Sequence, residues 1–204
     1  MLLLKLTNKN TVICYTYLHM KSHIIILSIL FIILVSSGVF IIQELKEPSN
    51  ATDYLQYSNP EYGISFSYST KYVLIERDAP GGGLRKHHTI TLIHKNDLPI
   101  PELGEGPQAI TVDIYQNNLD AQTGEHWIRN SNESNFKLSE GRLATTTIDG
   151  FESLSYRWSG LYEATSIVTA KPNWIYMFTV TYLEMGSQII QDFVYIKDAM
   201  QISE

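Results

Sequence analysis

Alternation of apolar and polar residues with a period of two recurs along most of this chain, and it constrains the fold more than any other feature. In NPEYGISFSYSTKY, residues 59–72, Tyr62, Ile64, Phe66 and Tyr68 alternate with Gly63, Ser65, Ser67 and Ser69. Successive side chains of a strand point to opposite faces, so the pattern predicts a first strand whose aromatic face turns to a core. Tyr72–Arg77 continues as a second extended run. His88–His94 (HTITLIH) and Ala109–Tyr115 (AITVDIY) follow. Arg142–Ile148 and Phe151–Trp158 flank Asp149-Gly150, a strong hairpin signal because both central residues of such a turn need positive φ. Tyr162–Ala170 and Trp174–Leu183 form a second hairpin around Lys171-Pro172-Asn173.

Helical spacing is confined to two places. Asp120–Arg129 predicts a helix capped by Asp120, with Trp127 and Ile128 facing the sheet, although Gly124 weakens it. Ser187–Gln201 predicts a second, with Ile189, Phe193, Ile196 and Met200 on one face and Ser187 as its cap. Pro80–Gly83 and Asp97–Pro107 read as loops. About eight strands and two helices predict an α+β fold, an antiparallel sheet with helices packed on it as an α/β/α-type sandwich.

Ahead of this body stands Ile24–Ile42, 19 residues without a charge. A helix rises 1.5 Å per residue, so a run of about this length crosses a ~30 Å hydrocarbon core. Lys5, Lys9 and Lys21 precede it, and the positive-inside bias then places the N-terminus in the cytoplasm and the body outside. A cleavable signal peptide, with Ile24–Val35 as its apolar core and Val35-Ser36-Ser37 as its cleavage site, is the alternative. Val39–Ile42 prolongs the run past that site, which favours a retained anchor. A buried core helix lacks the polar face it would need.

The expected organisation is a cytoplasmic segment 1–23, an anchor 24–42, a polar tether 43–58 and an extracytoplasmic domain 59–204. Met20-Lys21-Ser22 resembles a short basic start, which makes Met20 the expected first residue. Residues after 43 hold 12 of the 15 basic and all 21 acidic residues, a net charge of −9, which argues against nucleic acid as a partner. Cys14 is the one cysteine, so the body forms no disulfide. Asn50-Ala51-Thr52 and Asn132-Glu133-Ser134 are acceptor triplets for N-glycosylation.

The order of these elements resembles the fold shared by PsbP, an extrinsic photosystem II protein, and Mog1, a nuclear-transport factor. The matching residues are Tyr62-Gly63-Ile64-Ser65-Phe66-Ser67-Tyr68, the Trp127 helix, Ile148-Asp149-Gly150-Phe151 with Tyr156 beyond it, and the final helix holding Phe193. Together they span roughly residues 57–202. The pattern departs where proline is usual at Ser69 and tryptophan is frequent near Tyr72. The resemblance implies an exported, PsbP-like accessory or binding domain rather than an enzyme.

Chemistry-bearing motifs are sparse. No G-x-S-x-G elbow, H-E-x-x-H, P-loop or G-x-G-x-x-G occurs, and no serine, histidine and aspartate are tied into a triad by position. Gly81-Gly82-Gly83-Leu84-Arg85-Lys86 lacks Walker spacing and reads as a surface loop. Arg85, Lys86, His87, His88 and His94 form the one basic patch of an acidic body, suited to an anionic headgroup or an acidic partner. His88 and His94 are the metal candidates. They share a strand face, but at ~3.3 Å per residue they stand about 20 Å apart and cannot ligate one ion without carboxylates from elsewhere.

Glu125 and His126 read as exposed neighbours of a buried Trp127, and Asp113 as a solvated strand residue. Arg157 either stacks on a ring or covers the sheet. The expected function is therefore a membrane-tethered, non-enzymatic domain without cofactor that binds a protein partner or small ligand outside the membrane. A cell-envelope hydrolase with a scattered site, or a metal-responsive accessory protein, stand as alternatives.

Overall fold

The computed structural model describes residues 53–79, 85–101 and 106–203. The uncharged run 24–42, Met20, the Asn50 triplet and the glycine-rich loop 80–84 lie outside the described residues. Among those described, no helix is long and apolar enough to cross a membrane.

Two antiparallel sheets and two helices make up the domain, which is mostly β. The strands are β1 (Tyr54–Asn59), β2 (Ile64–Ser69), β3 (Tyr72–Ala79), β4 (His87–His94), β5 (Ala109–Gln116), β6 (Ala144–Ile148), β7 (Phe151–Ser159), β8 (Glu163–Ala170), β9 (Trp174–Tyr182) and β10 (Gln201–Ile202). The helices are α1 (Gly124–Asn130) and α2 (Gln188–Ala199). Seven strands form one sheet in the order β3-β4-β5-β9-β8-β7-β6, and β1-β2-β10 form a second, smaller one.

The aromatic strand behaves as its alternation predicts. Ile64 and Phe66 of β2, with Tyr62 just before them, are buried against the main sheet. Their core also takes Ile90 and Leu92 of β4, Ile110 and Ile114 of β5, Tyr176 and Phe178 of β9, and Phe193 and Ile196 of α2. Phe178 stacks on Phe193 with ring centroids 4.2 Å apart. The opposite face of the sheet carries a second core, in which Trp127 and Ile128 of α1 meet Tyr115, Tyr156, Ile175 and Met177. Because β9 is covered on both faces, WIYMFTVTY is apolar almost throughout rather than alternating.

Three expectations need correction. Residues 54–58, read as the end of a tether, belong to β1, which pairs with β2 from Tyr54↔Ser69 to Asn59↔Ile64. As a half-exposed edge strand, β1 carries little alternation to reveal it. Helix α1 starts at Gly124, not Asp120, because the Thr123 side chain caps it by accepting from the His126 N–H. The strand tally rises to ten, since two residues of β10 extend the small sheet along Ile64 and Ser65.

Glycine is required at two turns. Gly63 has φ +60°, and a Cβ there would come 2.6 Å from the Ser203 carbonyl oxygen, where the C-terminal strand passes. Asp149 and Gly150 take φ 49° and 77°, as the β6–β7 hairpin demands. The Asp149 carboxylate in turn accepts the Ile202 N–H at 2.8 Å, tying that hairpin to β10.

Candidate functional site

Antiparallel order sorts the connections of the main sheet onto two ends. The chain enters at Asp53, whose carbonyl accepts the Thr70 N–H at 2.9 Å. At this proximal end lie the β2–β3, β4–β5 and β7–β8 turns and the segment from β9 to α2. The distal end holds the β3–β4, β6–β7 and β8–β9 turns, the segment from β5 to α1, and the β1–β2 turn.

Hydrogen-bonded charge fills the distal end. His88, 6% exposed, stands opposite Asp78 in the β3–β4 register and shares its face with Glu76. Its Nδ1 lies 2.8 Å from Asp78 Oδ1 and its Nε2 2.8 Å from Glu76 Oε1. An imidazolium, with an N–H on each ring nitrogen, donates to both carboxylates at once, whereas a neutral ring donates to one. The small sheet completes the arrangement. The Tyr57 hydroxyl and the Asn59 amide donate to Glu76 at 2.7 and 2.8 Å, and the Tyr62 ring stacks on His88 at 4.3 Å.

These contacts set the carboxylates' acidity. Burial pushes Glu76 up, but the hydrogen bonds from Tyr57, Asn59 and His88 outweigh it and hold the group below the usual range. The His88 hydrogen bond does the same for Asp78. Close by, the Tyr176 hydroxyl donates to the Tyr62 carbonyl at 2.7 Å, and burial pushes it up to about 12.

Arg85, Lys86 and His87 at this end are paired too. Arg85 bridges to Asp120 and donates to the Gln116 carbonyl at 2.7 Å, and Lys86 bridges to Glu61. His87 Nε2 lies 2.8 Å from Asp113 Oδ1, which also accepts from the Thr89 hydroxyl at 2.9 Å.

The basic patch read from the sequence is therefore not a free one: Arg85, Lys86, His87 and His88 each face a carboxylate. Asp113 is likewise not a solvated residue, because Tyr115 and the α1 layer enclose its face. The two metal candidates fall at opposite ends of β4. His94 lies proximally, where its Nδ1 accepts the Asn96 N–H at 3.2 Å and its ring meets Tyr72 edge-on. Among the described residues, no three His, Cys, Asp or Glu side chains converge as a metal would require. Glu125 and His126 are exposed beside buried Trp127, as read, and Glu125 pairs with Arg129 along the helix.

The proximal end is apolar instead. Leu98, Ile100, Leu161, Leu183 and Met185 are exposed on its loops, the last three by more than 60%. Arg157, exposed on β7, reaches this end, where its Nη2 lies 3.0 Å from Met185 Sδ.

Beside this end a cleft of about 680 Å³ opens along β7. Strand β6 accompanies β7 only as far as Ser155, and beyond it a single bridge joins Ser139 to Trp158. The cleft is lined by Leu138, Leu143, Tyr156 and Trp158 together with Arg142 and Arg157. The polar tips of both aromatics are taken up internally. The Tyr156 hydroxyl donates to the Ser134 carbonyl at 2.6 Å, and the Trp158 Nε1–H to the Ser166 hydroxyl at 3.0 Å. Sequence reading did not find this cleft, because it comes from a difference in strand length, and that is visible only once β6 and β7 are paired.

No protein-family model matches the chain, and no curated protein sequence matches it. Among solved structures it is similar to the solution structure of cyanobacterial PsbP (CyanoP) from Synechocystis sp. The identity is 13% and the TM-score 0.49, over 77% of this chain and 96% of that one. A crystal structure from Bacteroides thetaiotaomicron is similar at 12% identity and TM-score 0.47. It matches over 74% of this chain, which spans 49% of that protein. At these identities the likeness concerns fold alone and carries nothing further about the chain.

Proposed function

We propose that the chain is a single-pass membrane protein whose domain, held outside the membrane by the run 24–42, is a non-enzymatic accessory module that docks a partner protein. The observation that carries this reading is the open cleft beside β7. It offers the half-buried Trp158 ring, Leu138 and Leu143, and two arginines, over a floor that includes buried Tyr156. Aromatic rings and arginine are the side chains that anchor protein interfaces, where they bring large contact area at small entropic cost. A shallow site with its hydroxyl and indole N–H groups already bonded inward suits adhesion to a surface better than proton transfer to a substrate.

The test is photo-crosslinking in native membranes, with the reactive group placed at Arg142 in the full-length chain. One stoichiometric protein adduct is expected, and it disappears in Trp158→Ala while α1 and the core remain folded. An adduct pattern unchanged by Trp158→Ala, or none at all, overturns the reading. Orientation is checked separately: protease added outside intact cells should digest the domain and spare the segment before residue 24.

A further inference from the structure

We propose that the proximal loops of the domain rest on the bilayer itself, with Leu161, Leu183 and Met185 seated at the level of the lipid headgroups. The proposal rests on the reading of 24–42 as a retained anchor and adds the face on which the domain lies.

Three observations lead there. The first is the asymmetry of exposed apolar side chains. Five of the large ones sit on proximal loops, whereas among the described residues Leu119 is the one on a distal connection. A cluster of this kind, projecting on loop tips, marks a surface that meets lipid or protein.

The second is where the chain enters. Asp53 is at the proximal end, and residues 43–53 are all that separate it from the uncharged run. Fully extended at 3.3–3.6 Å per residue, they reach less than about 40 Å. The nine residues of β9 alone span roughly 30 Å from one end of the sheet to the other at ~3.3 Å each. Turning the distal end to the membrane would consume most of that reach, whereas the proximal end needs none of it.

The third is charge. Lys71, Lys95 and Arg157 at this end are offset by Asp53, Asp97, Glu163 and Glu184, so no basic excess draws it to anionic lipid. The contact is then apolar and insensitive to salt and headgroup charge, which separates it from the electrostatic kind.

The full-length chain, with Cys14→Ser, is reconstituted into phosphatidylcholine vesicles carrying a headgroup nitroxide. An environment-sensitive dye is attached at Leu161→Cys, Leu183→Cys or Leu119→Cys, all exposed positions that tolerate it. Quenching several-fold stronger at 161 and 183 than at 119 is expected, unchanged by anionic lipid. Equal, weak quenching at all three in a chain that survives an alkaline wash overturns the proposal and leaves the anchor standing. A chain stripped by the wash overturns the anchor, and the proposal with it. Protection of 161 and 183 from both lipid and aqueous quenchers would instead mean that protein covers this end, and that also overturns it.

Discussion

The two ends of the main sheet are made of opposite materials. Distally, His88 sits between Glu76 and Asp78, Arg85 and Lys86 are paired, and Tyr62 closes over the imidazole. Proximally, leucines and a methionine stand in solvent on loop tips. Polar groups that are mutually bonded hold elements together, and here they lock the small sheet onto the edge of the large one. Side chains left this exposed add little to the fold, so their position is explained by what lies outside it. The difference assigns stability to one end and attachment to the other, and the two assignments break under different substitutions.

The largest effect is expected at Tyr62. It is 2% exposed, stacks on His88, meets Trp174 edge-on and lends its carbonyl to Tyr176. Tyr62→Ala should cost roughly 3–5 kcal/mol, the range for truncating a buried aromatic. Urea unfolding would show it as a lower midpoint. A change no greater than that of an exposed leucine would mean the distal end is not the clasp described here.

His88→Ala comes next. It leaves exposed Glu76 with Tyr57, Asn59 and solvent, and should cost roughly 1–2 kcal/mol, since only the His88 side of these hydrogen bonds is buried. The same residue governs an acid limb. Glu76 and Asp78 titrate below their unfolded values, so their contribution is fully present above pH about 5 and is lost as the pH falls through the folded values. Urea midpoints should therefore drop between pH 5 and pH 3 in the parent chain, and drop less in His88→Ala. Because the Asp78 side chain is exposed, part of the acid effect should fade at high salt. Parallel curves for the two proteins would remove His88 as the cause.

How far these ends could be read from the sequence depends on what pattern survives without pairing. Strand β2, the Asp149-Gly150 hairpin and the buried face of α2 rest on local periodicity and turn chemistry, and the structure places all three as expected. The His88 clasp does not. Glu76 and Asp78 alternate on one strand and His88 stands on the next, but which faces which is decided by register across a long connecting loop. Asp113 misled for a related reason: alternation tells which residues share a face, not whether a helix layer covers it. The exposed leucines had no signature at all. Leu183 read as the end of a strand and Leu161 fell between two, and only the topology shows that their turns share an end with the chain's point of arrival.

The smallest effect on stability, and the most discriminating, is expected from Leu161→Ser with Leu183→Ser. Both side chains are more than 60% exposed, so the pair should shift the unfolding free energy by no more than about 0.5 kcal/mol, as surface changes do. The same variant should lose most of the headgroup quenching at a dye placed on Met185→Cys, while Tyr62→Ala at a temperature where it stays folded keeps it. Stability and attachment would then separate cleanly by end. A double serine variant that unfolds early would show that the proximal leucines support the core after all, and the contrast between the two ends would fail.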